Sequence, residues 1–84
     1  MRPKLKSVEA TDEHKLLLYY VNGERKVYDF SNKLRENPTS LLSSLKSAAL
    51  FKTAKVVGCS VEWYNGFDIC PEELYYNSVA LNAQ

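Results

Sequence analysis

The chain has 84 residues and a formal net charge of +1, and its 45% hydrophobic and 25% charged content is ordinary for a soluble globular domain. Its length fits a single domain, 1–84, with a small core of about 4–81. The longest apolar run, Leu16–Val21, is too short to cross a bilayer, and no apolar signal core follows the basic N-terminus. We therefore expect a cytoplasmic protein without a membrane-spanning segment.

The first predicted elements are three strands. Residues 4–11 alternate well enough for a half-buried strand, and 12–14 indicate a turn. Asn22-Gly23 then separates two runs of β-forming residues, 15–21 and 24–30. Asn-Gly is the strongest short-range hairpin signal, because a tight two-residue turn needs positive φ. We therefore predict a β-hairpin centred on Asn22-Gly23.

A two-residue turn would give this hairpin a definite register, with Leu18 opposite Val27 and Leu17 opposite Tyr28. Both faces of the ribbon would then be apolar. The two sets are Leu16, Leu18, Tyr20 and Val27 on one face, and Leu17, Tyr19, Val21, Tyr28 and Phe30 on the other. We expect helices to cover one face, and a dimer partner or a curled sheet to cover the other.

Short helices are predicted between the two halves of the chain. Asn37-Pro38 can cap and open a central helical segment, 38–51. Within that segment, Ser47 can cap a second short helix, with Leu50 or Phe51 as its buried anchor.

The second half repeats the hairpin pattern. Residues 55–64 are extended, with Gly58 marking a bend, bulge or tight turn between two strands. Asn65-Gly66 predicts a second hairpin, and Pro71 suits the first position of a terminal helix, 71–81. The order of strand, Asn-Gly, strand and helix thus occurs twice.

Together these elements predict an α+β fold. We expect a hairpin-rich antiparallel sheet of about five or six short strands, packed with two or three helices. We find no recognisable catalytic, metal or nucleotide motif. With two cysteines and one histidine, His14, the chain has too few ligands for a zinc site. We place His14 in a surface turn, and expect no metal, no cofactor and no enzyme activity.

The stretch 62–75 resembles the closing motif of a bacterial family of domains of unknown function, number 2442. That motif contains a Trp, an Asn-Gly turn, an Asp two residues later, Pro-Glu and Leu-Tyr. The corresponding residues here are Trp63, Asn65-Gly66, Asp68, Pro71-Glu72 and Leu74-Tyr75. The stretches 22–24, 27–30 and 45–51 are similar to further family segments, so the resemblance covers about 5–76.

Two departures from the family pattern are local. Tyr64 stands where a proline is common, and Ser47-Ala48 replaces the usual Asp-Pro. The resemblance implies a small α+β domain without an established activity. It also implies a protein partner, because members often lie in small two-gene units proposed as toxin–antitoxin pairs.

Charge is distributed unevenly along the chain. Residues 1–55 hold all 11 Lys and Arg with six acids, whereas 56–84 hold four acids and no basic residue. The connector 33–55 supplies five candidate contacts for phosphates or for an acidic partner. They are Lys33, Arg35, Lys46, Lys52 and Lys55. The alternative is that these residues form ordinary solvated helix faces.

The second hairpin supplies three further candidates. Trp63 and Tyr64 are candidates for an aromatic contact, and the alternative is that Trp63 packs in the core. Cys70 precedes Pro71 at a helix N-terminus, which makes it a candidate reactive thiol. A two-residue turn would place Val61 opposite Cys70. A buried or capping thiol is the alternative role.

These features favour a non-enzymatic protein-interaction module, in the form of an antitoxin-like partner in a two-gene unit. One alternative is a nucleic-acid-binding or autoregulatory protein that uses the basic residues of 33–55. Another is a thiol sensor acting through Cys70. Exposed edge strands also favour a homodimer.

Overall fold

The computed structural model describes residues 2–36 and 40–81, and the statements below concern those residues. Seven strands and four short helices lie in these ranges. In chain order they are β1 Leu5–Ala10, β2 Lys15–Tyr20, β3 Arg25–Asp29, α1 Phe30–Glu36, α2 Ser40–Ser44, α3 Ala48–Phe51, β4 Lys55–Val57, β5 Ser60–Glu62, β6 Asp68–Ile69, α4 Pro71–Tyr76 and β7 Val79–Ala80. Asn37 and Pro38, predicted to begin the central helix, lie outside the described residues.

The strands form two antiparallel sheets. The larger has the order β1-β2-β3-β7 and the smaller has the order β4-β5-β6. The predicted α+β class is confirmed, with the strands divided between two sheets. Ser47 caps α3 as predicted, because its side chain accepts a hydrogen bond from the backbone N–H of Leu50.

The first hairpin has a three-residue turn, so the predicted register was wrong by one residue. The Tyr20 N–H donates to the Glu24 carbonyl at 2.9 Å, and the Gly23 N–H donates to the Tyr20 carbonyl at 3.0 Å. Gly23 adopts a φ of 92°, which suits the left-handed position after a type I turn. The Asn22 side chain accepts from the Glu24 N–H at 3.0 Å and favours this turn.

The second hairpin repeats the same turn. The Trp63 N–H donates to the Phe67 carbonyl at 2.9 Å, and Gly66 again has a φ of 92°. The Asn65 side chain accepts from the Phe67 N–H at 3.1 Å. Val61 therefore pairs with Ile69 rather than with Cys70, and that predicted pairing was also wrong.

The difference between a two-residue and a three-residue turn matters, because a one-residue shift in register moves every side chain of a strand to the other face of the sheet. In the observed register Tyr28 lies opposite Leu16, and Val27 lies opposite Leu17. Tyr28 and Phe30 therefore join Leu16 in the core, and Val27 moves to the opposite face.

Aromatic rings form the centre of the core. Trp63 is 2% exposed, and its indole Nε1 donates to the Phe51 carbonyl at 2.8 Å. The Trp63 ring centroid lies 5.1 Å from that of Phe30 and 5.8 Å from that of Phe51. The ring is thus buried with its one polar group satisfied, which joins α1, α3 and the second hairpin.

His14 has a structural role that the sequence did not indicate. It is half-buried at a φ of 61°, and its ring centroid lies 4.9 Å from that of Phe51. Its Nε2 lies 3.1 Å from the Lys46 carbonyl, and its own carbonyl accepts from the Phe30 N–H at 2.9 Å. The turn between β1 and β2 is therefore tied to the helical connector.

The terminal helix is shorter than predicted. It ends at Tyr76, because Asn77 and Ser78 form a turn, and both residue types favour turns. The chain then adds β7 to the larger sheet, where Val79 pairs with Val27. The Leu81 N–H also donates to the Arg25 carbonyl at 2.8 Å. The prediction of a helix through 81 was wrong.

Polar contacts hold α4 against the first hairpin. The Tyr28 hydroxyl donates to Glu73 at 2.7 Å, and Lys26 Nζ donates to the Tyr75 carbonyl at 2.7 Å. The Tyr75 hydroxyl donates to Glu24 at 2.8 Å. Hydrogen bonds from Asn22, and then from Tyr75, hold the pKa of Glu24 below its ordinary value.

A substitution at Gly66 tests the repeated turn. A Cβ added there would meet no atom within 4 Å, so only the backbone conformation penalises it. We expect Gly66→Ala to lower the free energy of unfolding by about 1–2 kcal/mol. Gly66→Asn should cost less, because Asn adopts positive φ more readily. Urea denaturation measures both, and an alanine variant as stable as the wild type would contradict the turn assignment.

Tyr75→Phe tests the contact with Glu24. Loss of the hydroxyl should raise the pKa of Glu24 towards its ordinary value, and Asn22→Ala should raise it further. A carboxyl group whose pKa is lowered by folding stabilises the folded state at any pH above its pKa in the unfolded chain. This stabilisation is lost as the pH falls through its pKa in the folded protein. Tyr75→Phe should therefore reduce the stability difference between neutral and acidic pH.

NMR titration of the Glu24 carboxyl group measures this shift directly. Tyr76→Phe is the matched control, because Tyr76 is the exposed neighbour of Tyr75 and its hydroxyl is not the one that donates to Glu24. An unchanged Glu24 pKa in Tyr75→Phe would rule out the hydrogen bond.

Candidate interaction surface

The larger sheet has a second face, opposite the core. Strand pairing arranges its side chains in three rows that run across the strands. They are Glu9, Leu17, Val27 and Val79 in the first row, Ser7, Tyr19, Arg25 and Leu81 in the second, and Lys15 with Asp29 in the third. We call these ten residues the outer face.

Five apolar side chains form the centre of the outer face. Leu17, Tyr19 and Val27 are half-buried, while Val79 is 72% exposed and Leu81 is 43% exposed. They occupy adjacent positions on β2, on β3, and on β7 with the residue that follows it, Leu81. An apolar patch with a charged rim is typical of a protein interaction site.

The rim carries charges of both signs. Lys15 and Asp29 lie directly opposite each other on β2 and β3, and Glu9 and Arg25 complete the rim. Ser31 donates to Asp29 Oδ1 from its backbone N–H at 3.1 Å and from its hydroxyl at 2.5 Å. These bonds, with smaller contributions from Lys15 and Arg35, hold the pKa of Asp29 below its ordinary value. Asp29 therefore presents a fixed negative charge.

The third row opens into a groove of about 660 Å³. Val27 and Val79 form an apolar wall, and Lys15 and Lys33 lie at its polar side. Glu73 also lines the groove, and its carboxylate accepts from the Tyr28 hydroxyl and from the Asn77 side chain at 2.9 Å. The groove extends the outer face past Val79, the first residue of β7, towards Asn77.

The two aromatic candidates of the second hairpin differ in exposure. Trp63 is buried in the core, so it is not available as a surface contact. Tyr64 is 87% exposed, and it lies in the turn of the second hairpin, where its N–H donates to the Thr53 hydroxyl at 3.1 Å. It therefore belongs to the smaller sheet and not to the outer face.

The five basic candidates do not lie on one element. Lys33 and Arg35 are on α1, where Lys33 lines the groove and Arg35 donates to the Asn32 side chain. Lys46 precedes α3, Lys52 follows it, and Lys55 begins β4. Lys52 forms an ion pair with Asp12 of the turn between β1 and β2. An acid distant in sequence thus neutralises part of this basic segment.

The thiol candidate is exposed. Cys70 occupies the N-cap position of α4, but its side chain makes no capping hydrogen bond, and Cys59 is half-buried. Both are free cysteines. Across 2–36 and 40–81, no group of three or more His, Cys, Asp and Glu side chains is arranged to hold a metal ion.

The sequence did not predict how the outer face is composed. Val27 was assigned to the wrong face by the two-residue turn, and Val79 and Leu81 were assigned to a helix. The available signals were Gly23 and Gly66, which also suit a three-residue turn, and the turn-forming pair Asn77-Ser78.

None of the helices in the described ranges has the length and apolar composition needed to cross a membrane. Comparison with curated proteins and with solved structures finds no match. The family profile described as a protein of unknown function, DUF2442, matches residues 5–80. That range contains both Asn-Gly hairpins, the helical connector and every residue of the outer face except Leu81. The chain therefore belongs to the DUF2442 family of proteins of unknown function.

Proposed function

We propose that this protein is a non-enzymatic protein-interaction module that binds its partner through the outer face. The observation that carries this proposal is the apolar patch formed by Leu17, Val27 and Val79, with Tyr19 and Leu81 beside them. The opposite face of the same sheet already supplies the core. Binding a partner would remove the second apolar surface from water.

The charges around the patch would orient the partner. Rim charges contribute more to specificity and to the rate of association than to affinity. Lys15 and Arg25 would attract acidic groups, and Glu9 and Asp29 would attract basic groups. A partner with a matching apolar centre and a mixed rim therefore fits better than a uniformly charged one.

The partner that we propose is the product of a neighbouring gene, in a bacterial cytoplasmic two-gene unit where this chain has an antitoxin-like role. The resemblance of the 62–75 motif supports this, because such family members often lie in units of that kind. Protein binding is also favoured over nucleic-acid binding, because Lys52 of the basic connector is paired with Asp12 and the other four cations are divided among α1, the turn before α3 and β4.

Co-expression with the untagged product of the neighbouring gene tests the proposal. We expect the neighbouring gene product to co-purify with the tagged wild type. Val79→Asp should weaken binding about tenfold or more, which corresponds to about 1.4 kcal/mol of binding free energy, and should therefore reduce the recovery of the partner. Val79 is 72% exposed, so the substitution should leave the fold intact. Thermal unfolding checks this.

Val57→Asp is the matched control. Val57 is also an exposed valine, 44% accessible, but it lies on β4 of the smaller sheet. The Val57→Asp variant should retain the partner at the wild-type level. Recovery that is equal in Val79→Asp and wild type, or no recovery with the wild type, would contradict the proposal.

A further inference from the structure

We infer that in the free protein a second copy of this chain covers the outer face, in a two-fold dimer whose axis runs parallel to the strands between β2 and β3. This inference rests on the proposed function in taking the outer face as the contact surface. It adds the identity of one occupant, with which the partner would compete.

The register of the first hairpin supports this arrangement. On the outer face Lys15 lies opposite Asp29, Leu17 opposite Val27, and Tyr19 opposite Arg25. A two-fold axis between β2 and β3 places β2 of one copy over β3 of the other. Each residue of β2 or β3 then faces a copy of the residue with which it is paired on the other of these two strands, while β1 lies over β7 of the second copy. Every contact occurs twice by symmetry.

The residues that face each other across this axis have complementary chemistry. Lys15 would meet Asp29 of the second copy as an ion pair, and Leu17 would meet Val27 as an apolar contact. Tyr19 would meet Arg25, which is a favourable cation–π combination. No pair in this arrangement brings like charges together. The outer face is therefore complementary to itself about this axis.

A two-fold axis across the strands along the first row is less favourable. An axis that runs across the strands along the first row would set Glu9 against Glu9 of the second copy, since residues on the axis face their own copies. Like charges in direct contact oppose association. In the proposed arrangement Glu9 lies on edge strand β1 and faces Val79 of the second copy, at the rim of the contact, where its carboxylate can remain in water.

The known geometry of packed sheets allows this contact. Aligned sheets pack about 10 Å apart at about −30°. Leu17 and Val27 belong to the first row, which lies between the other two rows at the centre of the contact, so this twist displaces them least. Lys15 and Tyr19 are long enough to follow the rotation of the outer rows. The apolar pair would therefore form the centre of the interface.

The area of the face predicts the strength of the dimer. Four strands about 4.8 Å apart and three rows of side chains cover roughly 400 Å². Two copies would bury roughly 800 Å² in total, compared with about 1,600 Å² for a standard stable interface. We therefore expect a concentration-dependent dimer that exchanges with monomer, which leaves the outer face accessible to a tighter-binding partner.

Sedimentation equilibrium from about 10 µM to about 1 mM tests the inference, over a range suited to weak interfaces. The average mass of the wild type should rise from 9.6 kDa towards twice that value. Val27→Asp should remain monomeric, and Val57→Asp should dimerise as the wild type does. Thermal unfolding of each variant confirms that it is folded.

A charge variant tests the proposed axis. Lys15→Glu would place a carboxylate against Asp29 of the second copy at two positions, so we expect its dimerisation constant to fall at least tenfold. Adding Asp29→Asn removes the repulsion but keeps a side-chain oxygen that can accept from Ser31. The double variant should therefore dimerise more strongly than Lys15→Glu alone.

Three results would overturn the dimer: a wild type that stays monomeric at about 1 mM, a Val27→Asp variant that dimerises normally, or no rescue by Asp29→Asn. A monomeric wild type that still binds the neighbouring gene product, with sensitivity to Val79→Asp, would overturn the dimer alone. Loss of both interactions would overturn the proposed function as well.

Discussion

Two three-residue turns determine how the side chains of this fold are distributed. In each turn a glycine with a φ of 92° follows an asparagine. The asparagine side chain accepts a hydrogen bond from the backbone N–H of the residue after that glycine. Positive φ is costly for residues with a Cβ, so the glycine determines where the turn ends and which residues pair. Because side chains alternate along a strand, this choice assigns every residue of β3 to the core or to solvent.

The consequences reach both faces of the larger sheet. Tyr28 and Phe30 point inwards, where Phe30 meets Trp63 and the Tyr28 hydroxyl binds Glu73 of α4. Val27 points outwards, beside Leu17. Because α4 lies against the first hairpin, the chain that follows it reaches β3, where β7 pairs and extends the larger sheet. The same register thus completes the core and creates the apolar surface on which the proposed interactions depend.

The sequence predicted those features that depend on neighbouring residues. The α+β class, both hairpins, the Ser47 cap and the start of α4 at Pro71 follow from local backbone preferences. The hairpin registers did not follow, because Asn-Gly suits turns of two and of three residues. The pairing of Lys52 with Asp12, and of β7 with β3, joins segments far apart in the chain. Only the tertiary fold reveals such contacts.

The register of the first hairpin is therefore the central claim, and NMR tests it most directly. Leu17 and Val27 form a pair without mutual backbone hydrogen bonds, in which the Cα atoms lie about 4.5 Å apart. We expect a strong nuclear Overhauser effect between the Hα atoms of Leu17 and Val27. A strong effect between the Hα atoms of Leu18 and Val27 instead would show a two-residue turn and place Val27 on the core side, which would contradict the observed register.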